Sequence, residues 1–241
     1  LIETEMNAID ETLFLYINAL AGKSNNFDSL VRMISGNVLL KGAVPMLGLW
    51  FLWFWRTPRQ QKTRVQLLGV LIVSMAAIAC GRLLQFALPH RMRPLHAQPE
   101  GFNLAYGVNP LTLDGWSSMP SDHAVMFFAI AFSLVAIDRV IGVLAILHAM
   151  LFVSLPRIFL GFHYPGDIVI GAILAAVMVF ALFSLVSRQV TRWRIVALAD
   201  SYPQIFYPVL FILTLEIATM FDAVRQLLGY AATLIRSWSS G

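Results

Sequence analysis

The sequence predicts an all-α fold, a polytopic membrane bundle of six transmembrane helices with short interfacial helices at the termini. Three observations lead there. Hydrophobic residues make up 59% of the 241 residues and charged residues only 12%, about half the roughly 25% usual in soluble domains. The apolar residues form runs too long for a single soluble core, whereas a bilayer accommodates them. The charges gather in clumps between those runs. The net charge of +4 does not point to nucleic acid, because the basic residues sit at the ends of apolar runs, where they report topology. Cys80 is the single cysteine; it can form no internal disulfide and says nothing about redox compartment. Residues 1–12 are acidic where a cleavable signal would be basic, so none is expected there.

The chain reads as one membrane-embedded domain over 1–241, with an interfacial segment at 1–37, polar motifs within 82–167 and a C-terminal interfacial helix at 222–238. In residues 9–21, Ile9, Leu13, Tyr16, Ile17 and Leu20 recur at helical spacing, with Asp10, Glu11 and Asn18 elsewhere. That pattern predicts an amphipathic helix lying in the interface. Residues 22–26 are a turn, and 27–37 a second interfacial helix. Six spans follow: 38–55, ending in the aromatic cluster Trp50, Phe51, Trp53, Phe54 and Trp55, then 65–88, 124–137, 140–155, 168–186 and 205–221. Aromatic clusters mark a membrane–water boundary.

Sidedness follows from the basic residues. Arg56, Arg59, Lys62 and Arg64 join spans one and two; Asp138 and Arg139 join three and four; Arg188, Arg192 and Arg194 join five and six. Short links rich in Lys and Arg stay in the cytoplasm. Loops 89–121 and 156–167, with both termini, are then expected together on the opposite face.

Those two loops hold most of the residues with chemical potential. The first carries His90-Arg91-Met92-Arg93-Pro94 and ends in Pro120-Ser121-Asp122-His123; the second carries Pro156-Arg157, five residues, His163, three residues and Asp167. These segments resemble the three-part signature of the type 2 phosphatidic acid phosphatase superfamily: Lys-x6-Arg-Pro, Pro-Ser-Gly-His and Ser-Arg-x5-His-x3-Asp. The match runs from about residue 86 to residue 167, in the family's order and on one predicted face.

The resemblance implies hydrolysis of a lipid phosphate, with catalytic His163, Asp167 and His123 and with Arg93, Arg157 and Ser121 binding phosphate; Arg82 and Asp122, which the signature does not contain, are added to the phosphate-binding set from their positions in this sequence. Physical chemistry supports these roles. Arginine forks bind phosphate oxygens in pairs and stay charged. A neutral imidazole at 163 can attack phosphorus to give a phosphohistidine, with the Asp167 carboxylate fixing the tautomer. A spacing of four puts the two on one side if Asp167 lies in the first turn of the fifth span. His123 can protonate the leaving group. Ser121 and the first amides of the third span can hold phosphate oxygens. No cofactor or metal is expected, since the sequence holds no carboxylate cluster of the kind that binds one. The expected partners are the lipid substrate and the bilayer.

Three positions depart from the signature. Phe86 stands where the lysine belongs. Arg82, one turn earlier on the same helical face, is the first candidate to replace it, with Arg91 and Lys41 behind it. Asp122 replaces glycine, a form resembling the bacterial undecaprenyl diphosphate phosphatases of the bacitracin-resistance type. Pro156 replaces serine and removes a hydroxyl.

Other readings stay open. The His163–Asp167 pair could be structural, His123 a helix cap, Arg93 and Arg157 headgroup anchors. Arg82 could snorkel or pair with Glu216. His148 reads as a packed, hydrogen-bonded residue, Glu216 as a structural partner and Gly171–Ala175 as a close helix contact. Phosphatidic acid, phosphatidylglycerophosphate and lipid A are alternative substrates. A phosphotransferase using the same histidine is the rival enzyme; a lipid transporter would need charges at mid-span, and most lie at the ends. Six apolar spans argue against the soluble vanadium haloperoxidases of the same superfamily.

Overall fold

The computed structural model describes residues 2–239, and among these the regular structure is helical throughout. The main helices are α1 (Ile2–Asn18), α2 (Asn25–Gly36), α3 (Leu39–Phe54), α4 (Gln60–Ala87), α5 (Asp122–Val135), α6 (Arg139–Phe159), α7 (Pro165–Arg192), α8 (Pro203–Ala218) and α9 (Asp222–Ser239). Helix α3 opens with a π-helical turn at Leu39–Ala43, and α6 contains another at Ala149–Ser154. Local chemistry sets the boundaries. Ser24 caps α2 by accepting from Phe27 N, and Asp138 caps α6 by accepting from Ile141 N. Pro165 and Pro203 open α7 and α8, where the missing N–H costs nothing.

Three helices, α4, α6 and α7, are long and apolar enough to cross a membrane, and the count rises to five if each bent pair is one span. The pairs are α2 with α3, bent by 55°, and α8 with α9, bent by 82°. The chain is therefore a multi-pass membrane protein, and the helices fall where the sequence expected spans. The third expected span, 124–137, differs. Helix α5 has 14 residues, a rise of roughly 21 Å at about 1.5 Å per residue, short of the ~30 Å hydrocarbon core. The reason lies in its position. Residues 124–131 are buried without a break, and α4, α6 and α7 pack around them. A helix enclosed by protein is not held to the bilayer's thickness. Its contact with α7 depends on Gly171: a Cβ there would stand 2.9 Å from Ala124 Cβ and 3.1 Å from the Ser121 carbonyl oxygen. Ala175, also buried, continues the contact, as expected for small residues one turn apart.

Helices α1 and α2 pack with their polar residues inward. Asp10, Phe14, Asn18 and Ala21 are buried, while Ile9 and Tyr16 are 63% and 83% exposed. The Asn18 amide donates to Asn103 O and Phe159 O, and its oxygen accepts from Asn103 N. Buried Asp28 accepts from Gly22 N and Tyr106 N. These bonds tie the 95–119 loop over the end of the bundle.

Candidate active site

The two loops expected on one face meet there. Leu95 N donates to Gly161 O at 2.8 Å, Ser118 N to Arg91 O at 2.8 Å and Ser121 N to Asp167 O at 3.2 Å. The three motif segments thereby enclose His163, which is only 2% exposed.

The hydrogen bonds of His163 assign its tautomer. Nδ1 lies 2.9 Å from the Ser118 carbonyl oxygen and 3.6 Å from Asp167 Oδ2. Both neighbours are acceptors, so Nδ1 carries the proton and Nε2 keeps a lone pair. Nε2 accepts from Arg93 Nη1 at 3.2 Å. Burial pushes the imidazole down to about 4; Arg93 and Arg157 push the same way, and the Asp167 hydrogen bond offsets only part of it. At neutral pH the ring is therefore uncharged, as a nucleophile must be.

Asp167, fully buried at the start of α7, is the hub of this half of the site. Its Oδ2 accepts from Tyr164 N at 2.8 Å and from the Ser118 hydroxyl, while Oδ1 accepts from Arg91 Nη1 at 2.7 Å. Arg91 reaches on to Asp10 Oδ2 at 2.6 Å, and Asp10 Oδ1 accepts from Gly166 N at 2.6 Å.

Arg93 is held by three carbonyls: Nη1 donates to Phe162 O at 2.6 Å, Nη2 to Ser117 O at 3.0 Å and Nε to Trp116 O at 3.3 Å. With the bond to His163, four of its five N–H groups are engaged, so the fork is fixed against His163 Nε2. Burial lowers its pKa to about 10, and it stays charged at neutral pH.

The other half is less tied. Arg157, His123 and Lys41 line an open cavity of about 470 Å³. Arg157 is buried over the Phe162 ring, and its Nε has no partner among the described residues. Ser121 precedes α5, and its buried Oγ is likewise unpaired. A buried polar atom without a partner costs stability unless a ligand satisfies it, and both atoms suit phosphate oxygens. His123 Nε2 lies 3.4 Å from Lys41 Nζ.

Arg82 and Asp122 occupy each other. Arg82 Nη2 is 2.6 Å from Asp122 Oδ2, its Nη1 donates to Gln85 Oε1 at 3.3 Å, and its guanidinium stands 5.1 Å from the Trp116 ring centre. Gln85 Nε2 in turn donates to Pro120 O at 2.7 Å and Asp122 Oδ1 at 3.1 Å. The partner of Arg82 is thus Asp122 rather than Glu216. The Asp122 carboxylate, expected among the phosphate ligands, faces this cation. Phe86 is 79% exposed.

Sequence reasoning missed Asp10, Ser118, Gln85 and the bridging part of Arg91. One signal was available for Asp10: with Phe14 and Asn18 it repeats at a spacing of four, a second face that a helix lying in the interface would not need. Ser118 acts largely through its carbonyl, which no residue type announces.

Part of the chain is similar in sequence to known proteins. The family model described as PAP2 superfamily matches residues 86–191. The chain is 28% identical over 173 residues to the bacitracin transport permease protein BcrC of Bacillus licheniformis, covering 70% of this chain and 77% of that one. It is 34% identical over 106 residues to a lipid A 4'-phosphatase of Bacteroides thetaiotaomicron, covering 43% of this chain and 46% of that one. No solved structure matches the chain. The stretch that is similar to the PAP2 superfamily, residues 86–191, spans Arg93, His123, Arg157, His163 and Asp167, the residues gathered at this end of the bundle.

Proposed function

We propose that this protein hydrolyses a membrane lipid phosphate through a phosphohistidine on His163, acting at the periplasmic face of a bacterial inner membrane within a six-crossing bundle. The observation that carries the reading is the environment of His163: a neutral ring, its Nδ1–H bonded to the Ser118 carbonyl with the Asp167 carboxylate 3.6 Å away, and its Nε2 lone pair beside Arg93. Nε2 attacks phosphorus, the bond to the leaving oxygen breaks, and His123 supplies that oxygen with a proton. Water then attacks the phosphohistidine, His123 takes its proton, and inorganic phosphate leaves. Arg93, Arg157 and Ser121 stabilise the charge on the transferring group, which is most of what phosphoryl transfer asks of a protein.

The Pro120-Ser121-Asp122-His123 form and the likeness to BcrC support a polyprenyl diphosphate as substrate. The likeness to a lipid A 4'-phosphatase favours a phosphorylated lipid of another kind as the second reading. For orientation, the support is the basic bias of the opposite end, where Arg64 of the first link comes within 4.0 Å of Asp200 beyond the last.

Phosphate release by the purified chain, screened over undecaprenyl diphosphate, phosphatidic acid, phosphatidylglycerophosphate and lipid A, tests the reading. The diphosphate is expected to turn over fastest, and His163→Ala to abolish release. Inactivity of the wild type on every lipid would overturn it. Cysteine labelling in intact cells, with Cys80 replaced, tests the face: residue 98 reacts from outside and residue 60 does not.

A further inference from the structure

We infer that Lys41 supplies the phosphate-binding cation that the signature places at 86, and that it does so from α3, an element outside the three motifs. The inference rests on the lipid phosphatase reading above and extends it to a residue from another part of the chain.

Lysine at this place needs a reason. It is only 8% exposed, and a buried ammonium is costly unless something charged or polar meets it. Its near neighbours are the wrong ones for that purpose. Nζ lies 3.4 Å from His123 Nε2, and the cavity they share is also lined by Arg157 and Arg225. No carboxylate pairs with Lys41 among the described residues; the Asp222 carboxylate at the cavity is taken by Arg225. A cluster of Lys41, Arg157 and His123 around an open cavity is complete only when an anion enters it. The unpaired Arg157 Nε and Ser121 Oγ are further polar groups of the site awaiting a partner.

The backbone is built to hold the lysine there. Lys41 sits in the π-helical turn Leu39–Ala43, and Pro45 follows. Proline brings no N–H, so the Leu40 carbonyl loses its π-helical donor five residues on. His148 Nε2 meets that carbonyl at 2.7 Å instead. On the next residue, a Cβ at Gly42 would stand 2.0 Å from the Ala218 carbonyl oxygen, so glycine alone lets α3 seat this closely against α8. A matching device carries Arg157: the π-helical segment Ala149–Ser154, followed by Pro156. The two π-helical turns pack against each other and bring their cations, Lys41 and Arg157, to one cavity. Arg82, by contrast, is already neutralised by Asp122 at 2.6 Å. Beside His123, Lys41 binds the phosphate oxygens on the leaving-group side.

The test uses the full chain in detergent, with Lys41→Met and Lys41→Arg measured per folded molecule. Two readouts are taken: hydrolysis of undecaprenyl diphosphate and phosphatidic acid, and binding of orthovanadate, followed by inhibition and by thermal stabilisation. Lys41→Met is expected to lose roughly 10²-fold in kcat/KM, the size of one lost charged contact in the transition state, and to weaken orthovanadate binding about tenfold or more. Lys41→Arg restores most of both. Should Lys41→Met fail to fold, Lys41→Gln keeps a hydrogen bond to His123 without the charge and carries the same comparison. Turnover and orthovanadate affinity both within about threefold of wild type would overturn the inference. So would lost turnover with unchanged orthovanadate affinity, the pattern of a merely structural lysine. A wild type that hydrolyses no lipid phosphate overturns the functional reading instead, and the thermal readout still decides on Lys41.

Discussion

The two histidines of the site stand in unlike surroundings. His163 is closely surrounded: the Ser118 carbonyl holds Nδ1 with Asp167 Oδ2 at 3.6 Å beside it, Arg93 meets Nε2, and Asp167 is itself held by Arg91, Ser118 and Tyr164 N. Among the described residues His123 has one side-chain partner within hydrogen-bond distance, Lys41, and it faces a cavity also lined by Arg157, whose Nε is unpaired; the buried Oγ of Ser121, two residues before it, is unpaired as well. On the proposed mechanism, the difference separates two tasks. A nucleophile must be fixed in tautomer and direction before substrate arrives, because misplacement is costly in rate. The groups that receive the phosphate and its leaving oxygen are completed by the substrate, so their partners are missing until it binds.

Four variants break or sharpen that contrast. His163→Ala removes the attacking atom and should leave no measurable turnover in a protein that still folds; retained activity would break the account. His123→Ala should cost about 10²–10⁴ in kcat, the usual size of one proton-transfer group, read by steady-state kinetics. Asp167→Asn is more discriminating. Where a carboxylate alone fixes the tautomer, its loss costs ~10⁴ in kcat. Here the Ser118 carbonyl is nearer to Nδ1, at 2.9 Å against 3.6 Å, so the expected loss is smaller, about 10²-fold. A full ~10⁴ loss would show that the carboxylate acts without the carbonyl's help. The smallest effect belongs to Arg82→Ala. As the partner of Asp122 it should lower stability by about 1 kcal/mol and turnover by less than about tenfold, whereas a phosphate ligand would cost ~10² or more. Thermal unfolding alongside kinetics distinguishes the two.

Much of this was legible before the structure. The motif residues carry their spacing in the sequence, and the structure brings His163, Asp167, Arg93 and Arg157 into one cluster. The helical class and the approximate limits of α4, α6 and α7 follow from hydropathy. Two kinds of feature did not follow. Helix α5 is apolar in the way a membrane span is, and composition does not separate a helix enclosed by protein from one facing lipid; its 14 residues do. Helix α1 showed an apolar stripe, and the stripe reads equally as a face turned to lipid or to protein. Its polar residues decide the matter in space, with Asp10 bonded to Arg91 and Gly166 and Asn18 bonded to Asn103. The ion pair of Arg82 with Asp122 joins residues forty apart, and neither announces the other in the chain. Lys41 was legible only as a candidate ranked behind Arg82 for the missing lysine, from its place near the end of a span; its nearness to His123 depends on a π-helical turn that no periodicity signals.

The central claim is that phosphate passes through His163, and direct trapping tests it. The chain is mixed with a lipid substrate labelled in its terminal phosphate, quenched within a turnover, digested and mapped. The account predicts label on the peptide carrying His163, absent in His163→Ala and longer-lived in His123→Ala, where the proton-accepting group for hydrolysis is gone. Rapid phosphate release with no label on His163, or label on another residue, would contradict it.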